Sequence, residues 1–177
     1  MPEPGCLTAL KSSLQIKFEL DQTKNQLKWK WSNGQSVTQE ALGDPLSSTN
    51  YVLCIYDHTG DVADLASSLV VAPDPAWDDK TPNGWLYKDT TGAQGGVTKL
   101  LLKPSADDKS KAQLQAKGVN YIPSFPVGGG EYFDQDTSVI VQLFKLGGPG
   151  SSTCWTSTFA ATDTTQNDED GFKASVP

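Results

Sequence analysis

One histidine, one methionine and three cysteines are spread over 177 residues, and this scarcity excludes several chemistries. A Ser–His–Asp triad needs a histidine held by an acid and hydrogen-bonded to a nucleophile. The single histidine, His58, sits in the turn sequence Asp57-His58-Thr59-Gly60 with no serine motif beside it. Zinc asks for several Cys or His ligands at suitable spacing, and Cys6, Cys54, Cys154 and His58 do not provide it. A phosphate-cradling loop is missing as well, because Gly128-Gly129-Gly130 lacks the flanking lysine and helix. The expectation is a protein without enzymatic activity, with no catalytic residue to assign.

Long apolar runs are also absent. No stretch approaches the ~18–20 apolar residues of a membrane-spanning helix, and no basic-then-apolar leader opens the sequence. No membrane span is expected. Positive charge is in the minority, with 14 Lys+Arg against 21 Asp+Glu and a formal net charge of −7. Nucleic-acid binding needs a basic surface that displaces counterions from phosphates. The charge balance predicts no such surface and no nucleic-acid partner.

An odd cysteine count leaves one thiol unpaired within a chain. Acidity, Thr/Ser/Gly/Asn-rich loops and a single methionine favour an extracellular location, where one disulfide is typical. Cys6 and Cys154 flank the body of the chain, and closing so long a loop contributes about 4–5 kcal/mol in the chain-entropy model. Cys54, inside Tyr51-Val52-Leu53-Cys54-Ile55-Tyr56, reads as a small buried core residue. Pairing of Cys54 with Cys154 stays open as the alternative. The length suits one domain, residues 6–177, preceded by a tail of residues 1–5.

What is present is alternation. In Leu27-Lys28-Trp29-Lys30-Trp31 a period of two puts Leu27, Trp29 and Trp31 on one face of a strand and the lysines on the other. Residues 13–20 alternate likewise, with Leu14, Ile16, Phe18 and Leu20 inward, and the two runs read as a hairpin. Residues 51–56 and 139–146 are apolar on both faces, as central strands are. Residues 62–71 fit both helical and strand spacing. Pro73, Pro75 and Pro82 argue against regular structure over 73–84. With strands at 85–88, 97–103, 111–117, 153–159 and 172–174, the count is about nine or ten. The expected fold is all-β, a single antiparallel β-sandwich of jelly-roll or Ig-like type.

The ordered set Cys6, Leu14-x-Ile16-Lys17, Leu27-x-Trp29-Lys30-Trp31-x-x-Gly34, Gly43-Asp44-Pro45, Tyr51-x-Leu53-Cys54-x-Tyr56, Tyr87-x-Asp89, Lys117-Gly118, Val141-Gln142-Leu143, Cys154-Trp155 and Phe172-Lys173-Ala174 spans nearly the whole chain. In this order it resembles an uncharacterised domain of secreted or surface proteins of environmental bacteria, found at times beside other extracellular modules. That family has no assigned activity, so no catalytic residue carries over. The resemblance implies an extracellular, non-enzymatic domain.

Three constellations are candidates for a site. The proline-stiffened segment 73–87 mixes Trp77, Trp85 and Tyr87 with Asp78, Asp79 and Asn83. Sugar recognition combines an aromatic plate for the C–H face of a pyranose with amides and carboxylates for its hydroxyls, and prolines hold such a platform at little entropic cost. Asp168 and Asp170, in Asn167-Asp168-Glu169-Asp170-Gly171, form a fragment of a calcium-loop pattern without its downstream glutamate. Calcium is the one ion this composition favours; otherwise no cofactor is expected. Glu131, near Asp134 and Asp136, is the candidate for carboxylate-driven glycoside hydrolysis. The leading expectation is a non-catalytic extracellular binding module for carbohydrate, using Trp77, Asp78, Asp79, Asn83, Trp85 and Tyr87. The alternative is a structural, adhesive or self-assembling surface domain that packs on sister domains, and a glycoside-active enzyme comes third.

Overall fold

Residues 1–150 and 152–177 are described by a computed structural model, and every structural statement concerns these residues. Twelve strands, numbered along the chain, form two antiparallel sheets. The larger sheet runs, in spatial order, β11 (Thr164–Asp168), β12 (Gly171–Val176), β1 (Ala9–Lys17), β2 (Gln26–Gly34), β8 (Ser110–Lys117), β7 (Val97–Lys103), β6 (Trp85–Lys88) and β5 (Trp77–Asp79). The smaller runs β10 (Thr153–Ala160), β9 (Ser138–Leu146), β3 (Asn50–Thr59) and β4 (Val62–Val71). The molecule is an all-β sandwich, and among the described residues helical structure is limited to three short 3-10 turns.

The period-two pattern decides which side chains meet. Leu14 stands opposite Trp29 and Ile16 opposite Leu27, so β1 and β2 form the hairpin that their alternation requires. On the other side Trp29 faces Leu114 and Trp31 faces Ala112, a large side chain against a small one. Both tryptophans are buried between the sheets. Trp29 Nε1 donates to Ser157 Oγ and Trp31 Nε1 to the Thr156 carbonyl, both at 3.1 Å, so each ring crosses to β10 with its polar atom satisfied. Gly34 closes β2 because the Trp31 ring lies over it; a Cβ there would fall 1.8 Å from Trp31 Cη2.

The runs that are apolar on both faces, β3 and β9, are the two inner strands of the small sheet. The ambiguous segment 62–71 is a ten-residue strand. A bulge opposite Ile55 and Tyr56 shifts its register, and the shifted parity imitates helical spacing.

Two strands exceed the expected count. Residues 73–84 contain β5, a three-residue edge strand bounded by prolines, where an unused N–H costs nothing. The other, β11, is a polar edge strand with no apolar alternation, held by its ladder to β12. Another correction concerns β1, which ends at Lys17. Phe18 and Leu20 lie past its end, and Leu20 is 97% exposed rather than inward.

Cys6 and Cys154 are disulfide-bonded across 148 residues, and Cys54 is a free, buried thiol. Burial pushes the Cys54 thiol pKa up. The N-terminal segment is fastened to the small sheet: Glu3 N–H donates to Gln142 Oε1, and Gln142 Nε2 donates back to the Glu3 carbonyl, each at 2.8 Å.

Candidate functional site

The residues read as a sugar platform divide by strand parity. Trp77, Trp85 and Tyr87 point into the core, with 3%, 7% and 1% of their surface exposed. Trp77 packs between Tyr51 and Tyr87, at ring-centroid distances of 5.3 and 5.4 Å. The ladder sets this: Trp77 opposes Tyr87 on the inner face while Asp78 opposes Leu86 on the outer. Asp78 pairs with Lys80, Asp79 accepts the Thr81 N–H at 2.7 Å, and Asn83 donates its backbone N–H to the Lys80 carbonyl at 2.6 Å. The aromatic rings are therefore core residues and the polar ones build the β5–β6 turn. The structure does not bring them together as a surface site.

Asp168 and Asp170 are exposed in the β11–β12 turn. Asp168 Oδ1 accepts the Asp170 N–H and the Gln166 side-chain amide, both at 3.0 Å, so this oxygen is engaged in turn-making. Among the described residues no three His, Cys, Asp or Glu side chains are grouped to hold a metal ion. His58 Nδ1 lies 3.1 Å from Ser138 Oγ and 3.2 Å from Thr137 Oγ1. Asp57, its chain neighbour, turns instead to the segment 118–137, accepting the N–H groups of Asp134 and Gln135 at 2.8 and 2.9 Å. Burial raises the Asp57 carboxyl pKa against the pull of these two bonds. Glu131 and Asp134 line a shallow depression together with Thr165 and Asn167.

Exposed aromatic surface gathers elsewhere. Phe125, 76% exposed, meets Phe18 edge-on at 5.8 Å beside an open groove of about 530 Å³. Its walls are Phe18, Leu20 and Pro126, with Glu19, Asp21 and Asp170 at the rim.

The surface that sequence reasoning missed is the outer face of the large sheet. All 14 cationic side chains of the chain are lysines. β1 carries Lys11 and Lys17 outward, β2 Lys28 and Lys30, and β12 Lys173. β8 adds Lys111 and Lys117, β7 Lys99 and Lys103, and β6 Lys88. These six strands hold ten of the fourteen lysines and none of the twenty-one carboxylates. Carboxylates return only on the edge strands, as Asp78 and Asp79 on β5 and Asp168 on β11. Of the ten, Lys17 alone has an ion pair among the described residues, with Glu19 beyond the end of β1, at 2.5 Å.

Register orders these lysines into rows. Lys173 stands opposite Gln15, Gln15 opposite Lys28, Lys28 opposite Gln115, Gln115 opposite Lys99, and Lys99 opposite Lys88. A second row passes from Lys11 through Ser32 and Lys111 to Lys103. The net charge of −7 therefore conceals a basic face, and the expectation that the chain lacks one is corrected. The signal was in the sequence: wherever a strand holds two lysines they stand an even number of residues apart, on one face, and these strands hold no acid.

Fold and surface together define an asymmetric β-sandwich with a lysine-studded face on an acidic body. Comparison with protein-family models, curated proteins and solved structures returned no match.

Proposed function

We propose that the protein is a non-catalytic extracellular binding module whose working surface is the outer face of the eight-stranded sheet. The observation that carries this reading is the segregation of charge: ten lysines and no carboxylate on six adjacent strands of a net-negative chain. Protection of sheet edges does not account for it, because β2, β8 and β7 are interior strands. Solubility does not account for it either, since a mixed surface serves that purpose with less self-repulsion. An open face eight strands wide suits an extended polymer, and its Lys, Gln and Ser donors suit the oxygens of a polysaccharide. The Cys6–Cys154 disulfide fits an oxidising, extracellular setting.

The test is a polysaccharide pull-down with the intact chain and a Lys28→Glu/Lys30→Glu variant of unchanged circular dichroism. The reading expects binding by the parent and its loss in the variant; equal binding by both overturns it.

A second reading has its own support. The outer face of the small sheet carries an apolar cluster, with Val52, Ile140 and Phe144 packed around Cys54 and Tyr56, and Val70 opposite Val52. Such a face serves a structural or adhesive domain that packs on sister domains or on copies of itself. Sedimentation that reports concentration-dependent association, abolished by Phe144→Ser, favours this reading.

A further inference from the structure

We infer that the basic face binds a linear polysaccharide carrying a carboxylate on every second sugar, laid across the strands along the row Lys173–Gln15–Lys28–Gln115–Lys99–Lys88. The inference rests on the reading of this face as the working surface and deepens it.

Spacing carries the argument. Neighbouring strands lie ~4.8 Å apart, close to the advance of one pyranose along an extended glycan. In the row, lysine and glutamine alternate over the first five strands, so the cations recur at about 9.6 Å, two strand spacings. A chain in which uronate and neutral sugars alternate sets a carboxylate over each lysine and the hydroxyls of a neutral sugar over each glutamine amide. Glutamine offers both donor and acceptor, as sugar hydroxyls require.

Cost is the second argument. Lys88 directly opposes Lys99 within the row. Like charges in opposed cross-strand positions destabilise a sheet, and the fold does not need this pair. An anionic ligand removes the repulsion on binding.

The chain's overall negative charge does not prevent this. At physiological ionic strength the Debye length is about 8 Å, so the middle of the face is screened from the acids at the sheet's ends. Nucleic acid is the competing polyanion, and the face fits it poorly. Its outward residues include no aromatic on which a base would stack. It is a broad sheet surface with no helix or two-stranded ribbon projecting to enter a major groove.

The experiment titrates the full chain, disulfide intact, with hyaluronan oligosaccharides, in which every second sugar bears a carboxylate. Polygalacturonate, dextran sulfate, neutral dextran and duplex DNA run in parallel, each at low and physiological salt. Hyaluronan is expected to bind, and to weaken as salt rises. Lys28→Gln with Lys99→Gln, both in the row, is expected to lower affinity about tenfold, two exposed ion pairs' worth. Lys103→Gln with Lys111→Gln, on the same face but outside the row, is expected to change it less than about threefold. Polygalacturonate, dextran sulfate or DNA bound as tightly as hyaluronan, or equal losses from the two double variants, overturns the inference in favour of an unselective polyanion surface. Dextran bound without salt dependence, yet lost in the row variant, overturns the uronate assignment and leaves the working surface standing. Absence of binding to every polymer overturns both.

Discussion

Lys88 and Lys99 stand directly opposite each other on the outer face of the large sheet, with Gln115 next in the row and no acid on the strands that carry them. Their repulsion is a stability cost that a single reversal removes. Lys99→Glu converts a like-charged pair into an opposite one and is expected to stabilise the chain by about 0.2–1 kcal/mol in urea denaturation. The same substitution is expected to weaken binding of an anionic polysaccharide. Opposite signs in the two measurements mark a residue retained for recognition; a loss in both marks one retained for folding.

Trp77 gives the reverse pattern. Its ring is buried between Tyr51 and Tyr87, and its Nε1 has no hydrogen-bond partner. Trp77→Ala is expected to cost about 3–5 kcal/mol by opening a cavity. Trp77→Phe removes the unpartnered N–H along with part of the ring and is expected to cost less than about 1.5 kcal/mol. Urea denaturation measures both. Glycan binding by the folded Trp77→Phe protein is expected to equal that of the parent, because the ring does not reach the surface.

These two positions show what the sequence displays and what it hides. Alternation announces each strand's two faces, so the β1–β2 hairpin, the inner pair β3 and β9 and the inward Trp29 and Trp31 were all legible. Alternation is silent about which neighbour a strand finds. The row from Lys173 to Lys88 draws on six strands, from β12 beside β1 to β6 beside β7, and only long-range register assembles it. A net charge averages over the surface and so concealed the same row. The segment 73–87 misled for a local reason. Prolines mark irregular chain, yet here they flank a short edge strand whose parity turns Trp77 inward and Asp78 outward. Short polar strands such as β11 leave no periodic trace at all.

The disulfide closes a loop of 148 residues. Cys6→Ala with Cys154→Ala is expected to lose about 4–5 kcal/mol of stability, read from urea denaturation. Cys54 supplies an internal control. It is the free thiol among the described residues, buried, and its pKa is raised by that burial. A thiol-reactive chromophore is expected to find no reactive group in the native protein and one after denaturation without reductant. A rapidly reacting native thiol would show that the outer face of the small sheet is open at Cys54.

Tyrosine ionisation tests the packing of the whole sandwich. All five tyrosines have pKa values raised above the ordinary value of 10, with burial the first cause at each. Tyr56, Tyr87 and Tyr132 are pushed up to about 12, and Tyr51 and Tyr121 are raised as well. The sign follows from proton counting. Below pH 10 the folded and unfolded chains both keep these protons and stability does not depend on them. Between about pH 10 and about pH 12 the unfolded chain releases its tyrosine protons while the folded chain retains them, so stability falls as pH rises. Tyrosinate absorbance is therefore expected to stay low through pH 10 and then rise together with the loss of β-sheet circular dichroism. A gradual rise centred on pH 10, with the circular dichroism unchanged, would mean that these rings reach solvent in the native fold. Tyr51 is the most informative single position, because its hydroxyl donates to the Leu42 carbonyl inside the core. Tyr51→Phe deletes that donor together with one ionising group, so it is expected to lower stability at neutral pH and to flatten the alkaline decline.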